Sequence, residues 1–315
     1  MTLEYRRAKL SELHLGVTNS IIKQIEVGPG RYRCPWHQRR RVGMTPTRVS
    51  NGEPYQGFNR LRLWSAANER GYQGSVWGTF NQWKEKGCRV RRGETQTLIL
   101  FFKFKEDDNI DDDSEEQEQE LKELDFVRPF GVFNIDQVDG AEGYLKPKLR
   151  DLAVCLTQID EFVTRTEAKI KYRFTGGARY HLPPRDFIEM PFAFRFGKTD
   201  FSSATETFQS TRLHELAHWT GAEHRLDRQF GKDRNDPVYA FEELVAELTS
   251  AFLCADLEIG NPPRPDHAQY MAGYLRVLRG DSRAISKAAS KASMAARYLH
   301  KLQNKESHKR KQGAI

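Results

Sequence analysis

His214-Glu215-Leu216-Ala217-His218 is an H-E-x-x-H run set among apolar neighbours, with Leu213 before it and Trp219 after it. On a helix, residues four apart lie on one face, so the two imidazoles can grip a single metal ion. Glu215 flanks that face and is placed to act as general base for a water that attacks a carbonyl. Ser203 or Thr205 is available to cap the helix. A second apolar run carrying acids follows, Phe241-Glu-Glu-Leu-Val-Ala-Glu-Leu-Thr-Ser-Ala-Phe-Leu-Cys254. Leu244, Val245, Leu248, Phe252 and Leu253 mark it as a buried helix. Glu243 and Glu247 share one face and are costly to bury without a cation or a donor. Glu243 is assigned as third ligand and Glu247 as the carboxylate that orients His214 or His218, with Glu247 as the alternative ligand. Glu242 is expected to face solvent. Zn2+ is the default ion for such a donor set, with Mn2+ or another divalent cation as the alternative. Tyr239 is read either as an oxyanion donor or as a core residue, and His224 as a surface residue.

Working outward, 315 residues allow two domains. Ahead of the metal motif a helix is expected at 149–164 and short strands near 168–174, 180–182 and 188–190. Residues 1–30 read as a helix stopping at Gly28-Pro29-Gly30. Helices are also expected at 59–70 and 79–86, and strands near 89–91, 97–104 and 127–134. The class is α+β: a mixed N-terminal domain over 1–140, then a mainly helical domain with a small sheet over 149–300, and a basic tail over 301–315.

The net charge of +7 is unevenly spread. Residues 106–125 hold 12 acids and one base, and they are expected to form a disordered insertion between two strands. Residues 1–105 hold 20 Lys/Arg against 7 Asp/Glu, which suggests contact with a polyanion. Aromatics interleave with those cations, a pattern suited to stacking bases while tracking phosphates. The expected contacts are Arg31, Arg33, Trp36, Arg39, Arg40, Arg41, Tyr55, Arg60, Tyr72, Trp77, Arg89, Arg91 and Arg92, with the aromatics in turns taken as the exposed ones. Cys34-Pro-Trp-His37 is half of a zinc pattern without a second half nearby, and it reads as a packed aromatic loop. Four scattered cysteines (Cys34, Cys88, Cys155, Cys254) argue against a disulfide scaffold and fit a reducing cytoplasm. The longest apolar run, Thr97 to Phe102, is far below the ~20 residues of a membrane helix, so no membrane partner is expected.

These residues resemble the ArdC-type plasmid antirestriction proteins and are similar to the N-terminal part of conjugative TraC primases. The likeness runs through Pro54-Tyr-Gln-Gly-Phe-Asn-Arg-Leu-Arg-Leu-Trp64, Arg70-Gly-Tyr72, Trp77-Gly-Thr79, Val90-Arg-Arg-Gly-Glu94 and Val132-Phe-Asn134. It continues at His214 to Gly221, Arg225-Leu-Asp227 and Tyr239 to Glu247. The resemblance implies a single-stranded-DNA-binding domain followed by a zincin-like metallopeptidase domain. It also implies a role in shielding incoming plasmid DNA from host restriction during conjugation, in the bacterial cytoplasm or carried to a recipient with the DNA. A restriction enzyme or other DNA-bound protein is the further partner implied. The alternatives are a DNA-dependent metalloprotease and an accessory module of a primase. The acidic insertion and the basic segment 31–48 depart from the family pattern.

Overall fold

Ser203 opens the helix that carries the metal motif. Its hydroxyl accepts from the Glu206 backbone and the Glu206 carboxylate accepts from the Ser203 N–H, a reciprocal capping box. In the computed structural model of the chain, residues 3–26, 34, 36–37, 41, 44–102, 127–144, 149–200, 202–233, 235–262 and 267–304 are described. The acidic insertion, Arg31, Arg33, Arg39, Arg40 and residues 305–315 of the tail lie outside them.

Two compact units emerge, one from residues 1–20 with 46–145 and one from residues 21–45 with 146–315. Helix α1 (Leu3–Ile25) runs from the first into the second. The expected first domain runs over 1–140, whereas in this division 21–45 groups with the second unit. The reason is visible in long-range hydrogen bonds: Asn261 donates to the Trp36 carbonyl (3.0 Å) and Thr45 to Asp256 (3.1 Å).

In the first unit, β1 (Thr47–Arg48), β2 (Val76–Gly78), β4 (Thr97–Phe102) and β5 (Val127–Asn134) form a sheet in the order β1-β2-β5-β4. The β1-β2 pair is parallel and the other two pairs are antiparallel. Strands β3 (Arg89–Val90) and β6 (Val138–Asp139) make a small antiparallel pair. Helix α2 (Gly57–Arg70) lays Leu63, Ala66 and Ala67 against Ile99 and Val132 of the sheet. It stops at Gly71, whose φ of 72° is the left-handed cap that glycine adopts without strain. Helix α3 (Phe80–Glu85) starts at a second capping box, Thr79 with Gln82, and buries Trp83.

In the second unit, α4 (Leu152–Arg165) buries Cys155, Ile159, Phe162 and Val163, a stripe at helical spacing. Strands β7 (Ile170–Arg173), β8 (Arg179–His181) and β9 (Phe187–Pro191) form a sheet in the order β7-β9-β8, parallel then antiparallel. Helix α5 (Ala204–Trp219) is buried over nearly all its length, and packs on α6 (Pro237–Asp256). Asp236 caps α6 and Pro237 occupies its first turn, where the missing N–H costs nothing. Helices α7 (His267–Gly280) and α8 (Ala284–Leu302) complete the bundle. The buried alanines Ala288, Ala289, Ala292, Ala295 and Ala296 let α8 approach α6 closely. Among the described residues no helix is long and apolar enough to cross a membrane. The four cysteines are unpaired in disulfides and buried.

Candidate metal centre

The i,i+4 spacing on α5 places both imidazoles against α6. His214 Nε2 and His218 Nε2 each lie 3.5 Å from a carboxylate oxygen of Glu243. One ligand atom from each of the three residues falls within 4.8 Å of the others, and all three residues are buried. Neither ring nitrogen of His214 has a hydrogen-bond partner among the described residues. Burying such atoms unpaired costs on the order of 1–3 kcal/mol each. A divalent cation removes that cost, so the donor set fits one: two neutral imidazoles and a carboxylate, the donor types of a zincin-type centre.

Electrostatics point the same way. Burial pulls His218 down, but the carboxylates of Glu243 and Glu242 outweigh it and hold the imidazole up at about 10. Burial pushes Glu243 up, yet His218 and His214 hold it well below the usual carboxylate range. The pocket is thus built for positive charge, and His218 must shed its extra proton before its Nε2 lone pair can be donated to a metal.

Two carboxylates hold the imidazoles from behind. His218 Nδ1 donates to Glu242 Oε1 (3.1 Å). Arg228 clamps Glu242 with Nε to Oε2 and Nη2 to Oε1, both 2.8 Å. Arg228 itself is held by the Thr220 hydroxyl and the Ala217 carbonyl. Gly221 leaves the space for this arginine: a Cβ there would sit 2.8 Å from Arg228 Nη2. The expectation that Glu242 faces solvent is corrected. It is buried, and Arg228 and His218 keep it ionised below its usual value against the opposing effect of burial.

Glu247 has one oxygen 3.5 Å from His214 Nδ1, on the side away from Glu243. Its other oxygen is 2.9 Å from His37 Nε2. The Cys34 N–H donates to His37 Nδ1 (3.3 Å), so the ring hydrogen sits on Nε2 and His37 donates to Glu247. The Cys34-Pro-Trp-His37 segment is therefore a packed loop whose histidine supports the centre. Burial first, and then Glu247, push the Cys34 thiol up. Glu215, adjacent to His214, is buried. Tyr239 is half-buried beside the site; burial and the Glu243 carboxylate raise its phenol, which stays protonated at neutral pH. His224 is exposed.

The turn after α5 is tied to the sheet. Tyr180 donates to Asp186 (2.7 Å), and Arg225 pairs with the same carboxylate while covering the Trp219 ring at 3.9 Å. The Arg225 guanidinium holds Asp186 below its ordinary value. A depressed folded value means the pair stabilises fully above the unfolded carboxylate value near 4, and fades as pH falls through the folded value. Asp186→Asn is expected to cost about 1–2 kcal/mol at pH 7. In urea denaturation that difference should shrink as pH falls below the ordinary carboxylate range and through the depressed folded value.

The residues expected to touch DNA divide sharply. Arg89, Arg91 and Arg92 are exposed, Arg41 and Tyr72 half-buried. Arg91 is engaged with Glu94 (2.9 Å) and Asp139 (3.6 Å). The expected exposure of Trp36, Tyr55 and Trp77 is corrected, since all three rings are buried. Tyr55 and Trp77 share a core with Leu63, Ile99 and Val132. Arg60 is buried too, 5.1 Å over the Trp64 ring. Trp77 lies in β2 and Arg60 in α2 rather than in turns, and the rings reach inward for apolar cover.

Comparison with known proteins places this geometry. Residues 11–133 match the N-terminal domain of anti-restriction factor ArdC, and 157–291 match a zincin-like metallopeptidase family. An uncharacterized protein of Sinorhizobium fredii, y4eC, is 36% identical over 319 residues, with both chains fully covered. DNA primase TraC of Escherichia coli is 29% identical over 303 residues, which is 93% of this chain but 20% of TraC. The crystal structure of the antirestriction protein ArdC from plasmid R388 in its Mn(II)-bound form superposes with a TM-score of 0.70 at 33% identity, covering 92% of this chain and 97% of that one. The metal-free form of the same protein gives 0.70 at 34% identity, over 93% and 98%. A relative this similar over nearly the full length of both chains settles the matter: this chain belongs to the ArdC family of antirestriction proteins and carries a zincin-like metallopeptidase domain.

Proposed function

We propose that the chain is a single-stranded-DNA-binding antirestriction protein whose second domain holds a divalent metal at His214, His218 and Glu243. The observation that carries the metal half is the convergence of three buried ligand atoms within 4.8 Å around an imidazole with unpaired ring nitrogens. Zn2+ is the ion the zincin-like family supports, and Mn2+ is the alternative that the R388 relative supports. When bound, such an ion supplies Lewis acidity that polarises a carbonyl and acidifies water. The chain's own contribution is positional. Glu242, fixed by Arg228, holds His218 with Nε2 turned to the site, and Glu247 stands behind His214. Glu215 is the group assigned to take the proton from an attacking water.

The DNA half rests on the ArdC-type N-terminal domain and on the exposed cations Arg89, Arg91 and Arg92, with Arg31, Arg33, Arg39 and Arg40 proposed from sequence. The biological setting proposed is the bacterial cytoplasm during conjugation, where the chain shields incoming plasmid DNA, with a restriction enzyme or other DNA-bound protein as the further partner. Affinity for an oligo-dT strand is expected to fall about a hundredfold or more between 50 and 200 mM salt, as about five neutralised phosphates require. Fluorescence anisotropy across that range checks it, and a flat response contradicts a phosphate-dominated mode. A second reading, hydrolysis of proteins on or near DNA, is favoured by the buried Glu215 next to His214.

A further inference from the structure

Three of the rings expected to meet bases, Trp36, Tyr55 and Trp77, are buried, while the second unit carries other aromatics that face water. Phe174 and Phe194 are 70% and 73% exposed, and Tyr172 is 41% exposed. These rings do not hang free. Phe208 on α5 is buried and stacks on Tyr172 (6.4 Å, 29°), which stacks on Phe192 (5.8 Å, 24°). Phe192 in turn stacks on Phe194 (5.8 Å, 10°) and touches Phe174 (4.7 Å). The result is a column anchored at Phe208 of the metal-motif helix and ending at the surface in two exposed rings, Phe174 and Phe194.

Single exposed phenylalanines are ordinary, but Phe174, Phe192 and Phe194 touch one another, and a contiguous exposed apolar patch marks a binding surface. The surrounding charge selects the occupant. Residues 168–200 carry seven Lys/Arg against three Asp/Glu. Arg173 alternates with Tyr172 along β7 and turns to the other face of the sheet, where it reaches Glu189 (3.5 Å), so it does not border the column. Arg195 follows Phe194 and donates to the Phe174 carbonyl, which fixes it at the edge of the column. Fixed rings with the Arg195 guanidinium at their edge suit unpaired bases on a phosphate chain.

We infer that the Phe174–Phe194 column is a second contact for single-stranded DNA, located on the metallopeptidase-like unit. The inference rests on the reading of the chain as a single-strand binder and adds a site to it. Such a contact keeps the metal-bearing unit on the same strand as the N-terminal domain.

The test is binding of a fluorescein-labelled 30-nucleotide oligo-dT by full-length Phe174→Ala/Phe194→Ala and Phe174→Leu/Phe194→Leu pairs, beside wild type and Arg89→Ala/Arg92→Ala. Both phenylalanine pairs are expected to bind about tenfold or more weaker, with an unchanged salt slope, because rings release no counterions. Their metal content should equal wild type, which shows that the unit is intact. Wild-type affinity in both pairs overturns the inference. So does a loss in the alanine pair that leucine restores, since generic apolar contact with a protein partner tolerates leucine and base stacking does not. If wild type itself fails to bind the strand, the broader reading falls and takes this site with it. If only Arg89→Ala/Arg92→Ala weakens binding, the broader reading stands and this site alone is lost.

Discussion

Glu215→Gln is expected to lower peptide-bond hydrolysis by about 10²- to 10⁴-fold while metal content and single-strand affinity stay at wild-type values. The substitution removes a proton acceptor and keeps shape and hydrogen-bonding length. Glu215 is not among the three converging ligands, so the centre should load normally. It also lies on the buried α5 of the second unit, whereas Arg89, Arg91 and Arg92 belong to the first unit, so the DNA response should be untouched. Hydrolysis of a casein-type or DNA-bound protein substrate supplies one readout, and protection of transferred plasmid DNA supplies the other. Full protection by the mutant contradicts proteolysis as the means of antirestriction and leaves strand binding to account for it.

Arg228→Met is expected to cost about 3–5 kcal/mol of stability, because it strands the buried Glu242 carboxylate without its two guanidinium bonds. It should also weaken metal binding about 10- to 100-fold through the loosened Glu242–His218 contact. The two effects can be separated. Arg228→Met/Glu242→Leu removes the stranded charge and is expected to recover most of the stability, yet His218 then lacks its acceptor and the metal affinity stays low. Guanidinium denaturation and competition with a chromophoric chelator give the two numbers. A single mutant within about 1 kcal/mol of wild type contradicts the account of this clamp.

The readable and unreadable parts of this molecule divide along physical lines. His214 and His218 were legible because a four-residue spacing on a helix fixes which face both rings share, whatever the rest of the chain does. Glu243 was legible because an acid in an apolar helix needs a counterpart. The same logic misplaced Glu242 at the surface, since α6 is buried around most of its circumference and apolar periodicity then names no outward face. The missing information was Arg228, placed by a turn after α5 in which Gly221 makes space for it. His37 was out of reach for another reason: its partner Glu247 is 210 residues away, and only tertiary packing joins them. Aromatic exposure was not legible from local sequence. Trp36, Tyr55 and Trp77 sit in turn-like sequence and are core, while Phe174 and Phe194 flank strand-like sequence and are surface. Elements with strong local signals, such as α2 with its Gly71 stop and α5 with its Ser203 cap, fell within a few residues of expectation.

The most direct measurement is elemental analysis of the purified chain beside His218→Ala. About one equivalent of zinc or manganese per wild-type chain, and a small fraction of that in the variant, is the predicted outcome. Equal metal content in the two, or none in wild type after dialysis against either ion, contradicts a centre built from His214, His218 and Glu243.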